Sequence, residues 1–155
     1  MCGINGFMTL GNHMPEMARE LLNRMNQSIK HRGPDDNGTW IDEARGIALG
    51  HLRLSIIDLS AAGHQPMTDD SSDQLVFNGE IYNYKELKSS INNHSFKSES
   101  DTEVLLYLYK QLGHKALNML NGMFAFAYYD STNEVLKLAR DRAGKKPLYY
   151  TSTNG

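Results

Sequence analysis

Hydrophobic and polar positions change rhythm several times along this chain. Ile4 to Leu10 is a short run of apolar and small residues, the pattern of a strand that would hold the residues before it in place. From Pro15 to Lys30 the period lengthens. Met14, Ala18, Leu21, Met25 and Ile29 recur at helical spacing and Pro15 with Glu16 suits a first turn, so these methionines read as core. His31 to Asp36 ends that helix in a loop of turn-forming residues. Two extended runs follow, Gly38 to Ile41 and Ile47 to Asp58. Beyond a polar loop from Gly63 to Asp73, Leu75, Val76 and Phe77 run as a strand into Asn78, Gly79 and Glu80. Tyr84 to Asn92 has the pattern of a short helix and His94 to Ser98 that of a short strand.

The second half is more regular. Ser100 and Glu103 have the spacing of a capping box ahead of Val104, Leu105, Leu108 and Leu112, which places Asp101 in a first helical turn. Gly113 ends that helix, and Lys115 to Leu120 reads as a further turn or two. Met123 to Tyr129 is a continuous apolar and aromatic strand, and Asp130 to Asn133 is a turn into Val135 to Ala139. Two strands joined so briefly must be antiparallel. Pro147 to Thr151 is a last extended piece. Strands joined mostly by hairpins, interrupted by two longer helices, predict an α+β layered domain with antiparallel sheets.

Composition narrows the class without changing that picture. The chain has 155 residues, enough for one domain with a real core; 40% are hydrophobic and 22% charged. Its 16 basic and 18 acidic residues leave a net charge of -2 without long blocks of either sign, so no nucleic-acid or membrane partner is expected. The single cysteine excludes an internal disulfide framework. There is no secretory h-region and no apolar run of membrane-spanning length, and a cytoplasmic location is the default expectation.

That cysteine is Cys2, at a place where loss of Met1 would put a free amine on the residue that carries the thiol. A terminal amine has a pKa of about 7.7 to 8.0 and can both take and return a proton near neutrality. A thiol of pKa about 8.5 is a strong nucleophile once deprotonated. The pair suits acyl transfer from an amide, and the competing reading is a small buried hydrophobe.

Three further features leave alternatives open. Arg53 lies within a strand-like run, where it either reaches solvent, pairs with an internal acid or waits for an anion; sequence alone favours solvent. Asn78-Gly79 is an ordinary hairpin signal, and the same pair at a strand end can present an amide and an unobstructed N–H, as an oxyanion hole requires. Arg140, Asp141, Arg142, Lys145 and Lys146 read as a solvated loop. Asp35 and Asp36 read as turn formers, and His13, His51, His64, His94 and His114 are dispersed, so no metal site is expected.

Several stretches, in order and over nearly the whole length, resemble one family. They are Met1-Cys2-Gly3-Ile4, His31-Arg32-Gly33-Pro34-Asp35, Arg53-Leu54-Ser55-Ile56-Ile57-Asp58, Gln65-Pro66-Met67 and Asn78-Gly79-Glu80-Ile81-Tyr82-Asn83. Ser100-Asp101-Thr102-Glu103, Gly122 to Ala127, Arg140-Asp141-Arg142 and Lys146-Pro147-Leu148-Tyr149-Tyr150 complete the set. The chain resembles class II glutamine amidotransferases, and within them the N-terminal domain of glutamine-hydrolysing asparagine synthetases.

The resemblance implies an N-terminal nucleophile hydrolase fold, a four-layer αββα sandwich shortened at its C-terminal end, because the family's domain continues with further strands. Residues 1–155 would then be the glutaminase domain without the ATP-dependent synthetase domain. Cys2 would attack the side-chain amide of L-glutamine with its own amine as base, and Asn78 and Gly79 would hold the oxyanion. Arg53 would grip the α-carboxylate, Asp101 with Glu80 would receive the α-ammonium, and the backbone of Leu54, Ile56 and Ile57 would line the pocket. No cofactor is expected in this domain; ATP and Mg belong to the missing synthetase domain or subunit, which would be the ammonia-receiving partner, with a homodimer among the assemblies allowed. The competing expectation is a non-catalytic module that keeps the pocket to bind glutamine or a partner. A hydrolase for some other amide is disfavoured, since Arg53 and Asp101 together ask for a free amino acid.

Overall fold

A computed structural model describes residues 1–9, 14–91 and 94–152; Leu10, His13 and Asn92 lie outside them. In chain order the elements are β1 (Gly3–Met8), α1 (Ala18–Ser28), β2 (Asp36–Asp42), β3 (Ile47–Arg53), β4 (Met67–Thr68) and β5 (Gln74–Ile81). Then come α2 (Tyr84–Ser90), α3 (Asp101–Leu112), β6 (Gly122–Asp130) and β7 (Val135–Arg140), with 3-10 turns at Lys30–Arg32, Ala61–Gly63 and Gly113–Asn118.

The strands form two antiparallel sheets, β1-β3-β2 and β4-β5-β6-β7. They face each other through β1, β3 and β5, while α1 covers the outside of the first sheet and α3, with α2 packed on it, the outside of the second. The order of layers is αββα, as the resemblance implies. Strand alternation divides the core accordingly. Leu75, Phe77 and Ile81 of β5 and Phe124, Phe126 and Tyr128 of β6 pack with Leu105 and Leu108 under the helices. Val76, Ala127 and Tyr129 point the other way, to Ile47 and Leu49 of β3.

Several local expectations are corrected by tertiary demand. Helix α1 buries Ala18, Leu22 and Asn26 rather than Leu21, which is exposed. The face rotates because Asn26 is needed inside: Asn5 Nδ2 donates to its Oδ1 at 2.6 Å, and its own Nδ2 donates to the Gly38 carbonyl at 3.4 Å. The run from Ile47 stops being a strand at Arg53, because the next residue, Leu54, turns its backbone groups to the Cys2 sulfur.

Ser100 is the N-cap of α3, accepting the Thr102 N–H at 3.0 Å, but Glu103 does not close a capping box. Its carboxylate accepts from Lys97 N at 2.9 Å, Ser98 N at 2.7 Å and Ser98 Oγ at 2.6 Å, so residues 94–98 are tied to a side chain and form no strand. Residues 147–151 form no strand either: Pro147 has no N–H for a ladder, and Tyr149 and Tyr150 are exposed. Asn78 and Gly79 pair with Ala125 and Phe124 in mid-strand, which removes the hairpin reading.

Candidate active site

Strand alternation brings the chemistry to one end of the space between the sheets. Along β3, residues 47, 49, 51 and 53 share the inward face, so Arg53 continues the row of Ile47, Leu49 and His51. Cys2 stands just before β1, in phase with the inward Ile4, and Gly3 pairs with Leu52 of β3. On β5, Asn78 follows Val76 on the inward face. One cavity is lined by Cys2, Arg53, Leu54, Ile56, Ile57, Asn78, Gly79, Glu80 and Asp101, every site residue expected from the sequence. Met1, Gln65, Thr102, Met123 and Lys146 line it as well.

The sulfur is held by backbone. Leu54 N–H donates to Cys2 Sγ at 3.4 Å, and the thiol contacts the Leu54 carbonyl at 3.7 Å. Arg32 Nε donates to the Cys2 carbonyl oxygen at 3.4 Å, which ties the start of β1 to the turn after α1. Cys2 itself is half-buried.

Arg53 does not reach solvent, contrary to the expectation from sequence: it is 7% exposed. Its Nη1 donates to the Ser60 carbonyl at 2.8 Å and its Nη2 to the Asp58 carbonyl. Two of five guanidinium N–H groups are thereby committed to the loop, and Arg53 also lines the cavity. The loop is pinned in turn. Asp58 Oδ1 accepts Ser60 N–H at 2.8 Å and Oδ2 accepts Glu99 N–H at 3.1 Å, joining the Arg53 loop to the segment before α3.

Asp101, the first residue of α3, is 5% exposed, and its Oδ2 accepts the Ile81 N–H at 2.9 Å. Burial pushes its pKa up to about 6, the neighbouring Glu80 adds to the rise, and the hydrogen bond from Ile81 opposes it. Two crowded carboxylates facing one cavity favour a cation between them. Gly79 is held to glycine by space: a Cβ there would stand 2.3 Å from the Met123 carbonyl oxygen and 2.8 Å from Phe124 Cα.

Three contributors escaped the sequence reading. Gln65 is buried and spans the gap behind Asn78 and Asp101, with Phe77 N–H donating to Oε1 at 2.7 Å and its Nε2 donating to Thr102 Oγ1 at 3.2 Å. Arg32 orients the Cys2 carbonyl. Lys146 is 2% exposed, and the loop read as solvated is in part a structural knot. Asp141 accepts backbone N–H groups from Phe124, Lys145 and Lys146 at 2.9–3.1 Å. All three stand in stretches that carry the family resemblance, but their burial and partners depend on loops whose paths hydrophobic periodicity does not encode. Among the described residues, no three His, Cys, Asp or Glu side chains gather as metal ligands, and no helix is long and apolar enough to cross a membrane.

Two facing antiparallel sheets between helices, with a cysteine just ahead of the edge strand β1 and a charged cavity around it, define the N-terminal nucleophile hydrolase class of fold. Within that class the chain belongs to the glutamine amidotransferase domain family, whose model matches residues 1–155. It is similar to asparagine synthetase [glutamine-hydrolyzing] 1 of Bacillus subtilis, at 46% identity over 99% of this chain and 24% of that protein. Asparagine synthetase [glutamine-hydrolyzing] 2 of the same organism is 44% identical over 97% of the chain and 20% of its own length. Amidase chry2 of Gibberella zeae is 40% identical over 97% of the chain and 24% of its own length. The chain spans between 20% and 32% of the length of these and the other first relatives it matches.

Proposed function

We propose that this chain hydrolyses L-glutamine to L-glutamate and ammonia through a thioester on Cys2. The observation that carries the reading is the convergence of Cys2, Asn78, Gly79, Arg53, Glu80 and Asp101 on one cavity. Cleavage before Cys2 frees its amine. That amine takes the thiol proton as the sulfur bonds to the amide carbon, and the carbonyl π electrons move onto oxygen. Asn78 side chain and Gly79 N–H receive this oxyanion, a task in which one donor commonly contributes about 2.7 to 4 kcal/mol. The ammonium formed on Cys2 then returns its proton to the departing nitrogen. Ammonia leaves as the C–N bond breaks, and water, deprotonated by the same amine, releases glutamate and restores the thiol.

Arg53 receives the substrate α-carboxylate with its uncommitted N–H groups, a planar two-pronged contact that lysine does not reproduce. The α-ammonium goes between Asp101 and Glu80, where it offsets the burial that chiefly raises Asp101 and the lesser repulsion from Glu80. Leu54, Ile56 and Ile57 form the wall between the two ends. The names of the Bacillus subtilis relatives support a further step: the ammonia is used by an asparagine-synthetase-type domain or subunit to amidate a carboxylate such as aspartate. The ATP and Mg that such a step requires would belong to that domain.

Glutamine turnover with equal yields of glutamate and ammonia tests the reading. Cys2→Ala should remove that turnover and the thioester mass adduct. One observation favours a second reading: Met1 lines the cavity and its peptide bond occupies the Cys2 nitrogen. Retained Met1 in the intact mass of the purified protein would make the chain a glutamine-binding or partner-binding module.

A further inference from the structure

Lys146 is a deeply buried charge at the cavity to which the proposed reaction gives no task. Its backbone N–H donates to Asp141 Oδ2 at 3.0 Å, and the same carboxylate oxygen accepts the Phe124 N–H at 3.1 Å. The lysine is therefore hung from β6 rather than from a loose tail. Its ammonium contacts the thioether sulfur of Met1, and none of the ion pairs among the described residues includes it. A thioether is a weak acceptor and offsets little of the cost of burying a cation. Burial foremost, and the Arg32 guanidinium next, hold Lys146 below the ordinary lysine range, while Cys2, Glu80 and Asp141 pull it back up.

We infer that Lys146 is a positioning residue of the nucleophile: its charge, set where Met1 ends, keeps the freed amine of Cys2 neutral and so ready to take the thiol proton. The inference rests on the glutaminase reading and deepens it. Once cleavage removes Met1, the ammonium loses its thioether contact and the new amine forms in the same cavity. Two ammonium groups in a partly dry cavity repel, and the less basic of them, the α-amine, gives up its proton first. A neutral amine is the form that can accept the thiol proton, and a nearby cation favours the thiolate that results.

The other charges facing this pair are Arg32 from the turn after α1, Arg53 from β3, Asp58 from its loop, Glu80 from β5, Asp101 from α3 and Asp141 beyond β7. Glu80 and Asp101 oppose Lys146 in the free protein. In the complex the substrate ammonium neutralises them, so the effect of Lys146 is read in kcat and not in KM.

The test compares wild type, Lys146→Met and Cys2→Ala, on protein whose intact mass shows Cys2 as first residue. Two quantities are followed against pH: kcat for glutamine, and the rate of Cys2 alkylation by iodoacetamide. Lys146→Met is expected to move the acidic limb of both profiles up by about one pH unit, a roughly tenfold loss at pH 6 that closes by about pH 9. KM should stay within about twofold. A Lys146→Met profile that overlays wild type overturns the inference, and so does a loss that is uniform with pH. Lys146→Gln carries the same test if the methionine variant does not fold. Failure of the underlying glutaminase reading looks different: Cys2→Ala then turns glutamine over as wild type does, or wild type turns over none. The alkylation profile reports on Lys146 in either case.

Discussion

Gly63 lies against the Arg53 guanidinium so closely that a Cβ at position 63 would stand 2.0 Å from Nη2. The clash falls on the group proposed to grip the substrate carboxylate, and the neighbouring carbonyls of Asp58 and Ser60 leave it little room to retreat. Gly63→Ala is expected to raise KM for glutamine at least tenfold through a displaced guanidinium, with a smaller change in kcat. Overpacking of this kind commonly costs about 1–3 kcal/mol of stability. Steady-state kinetics with thermal unfolding separates the two effects: a variant with a lowered Tm and an unchanged KM would show that Arg53 does not hold the substrate.

Asp101 gives the site a pH dependence of defined sign. Its pKa is raised to about 6, chiefly by burial, with Glu80 contributing. Above that value it is the anion that an ammonium requires. Each pH unit below it removes the binding form roughly tenfold. KM for glutamine is therefore expected to climb as pH falls below about 6, more than kcat declines, because bound ammonium keeps the carboxylate ionised. Glu80→Gln should move the climb to lower pH. The stability sign is opposite: the folded chain holds this proton more tightly than the unfolded one, so acidification here relieves a cost. A KM that is flat between pH 5 and 7 contradicts the assignment.

The layers and most strands were legible because alternation and helical spacing are imposed by the two cores themselves, as with Leu75, Phe77 and Ile81 against Val76. Residue positions in the site were legible through motifs, and their orientation was not. Arg53 read as solvent-facing because the apolar run continues to Ile57; only the end of β3 at Arg53, with the pleat counted from Ile47, turns it inward. Lys146 and Asp141 sat in a run of five charged residues that looks solvated, and the fold buries those two while leaving Arg142 and Lys145 exposed. Glu103 obeyed the capping-box spacing and took different partners, because the 97–98 backbone needed acceptors more than the helix end did.

His51 links the sheets, its Nε2 lying 3.1 Å from the Phe77 carbonyl oxygen next to Asn78. Burial lowers its pKa to about 4, against a smaller rise from that carbonyl. The folded chain keeps it neutral where the unfolded chain, near 6.5, takes a proton. Its contribution is therefore complete above pH 6.5 and is lost as pH falls toward 4. Between pH 7 and pH 5 this amounts to about 2 kcal/mol. Urea unfolding of wild type and His51→Gln at both pH values checks it: the variant, less stable at pH 7, should lose that much less on acidification.

Glu103 is the acceptor that organises the approach to the site from the helix side. Its carboxylate takes the N–H groups of Lys97 and Ser98 and the Ser98 hydroxyl, and lies 2.9 Å from His94 Nε2, whose ring stacks on Tyr107 at 3.5 Å. Burial alone would raise its pKa, yet the bonds from Ser98, Lys97 and His94 outweigh burial and hold it below the ordinary value of 4.5. The stability it contributes is present above pH 4.5 and is lost as pH falls through the lower folded value. Glu103→Ala strands several partly buried donors at once and is expected to cost about 3 kcal/mol. Because Ser98 and Ser100 lead directly into Asp101, the same variant should raise KM for glutamine several-fold while leaving the alkylation rate of Cys2 unchanged. A variant as stable as wild type would mean that the 94–100 segment is held by its aromatic stack rather than by this carboxylate.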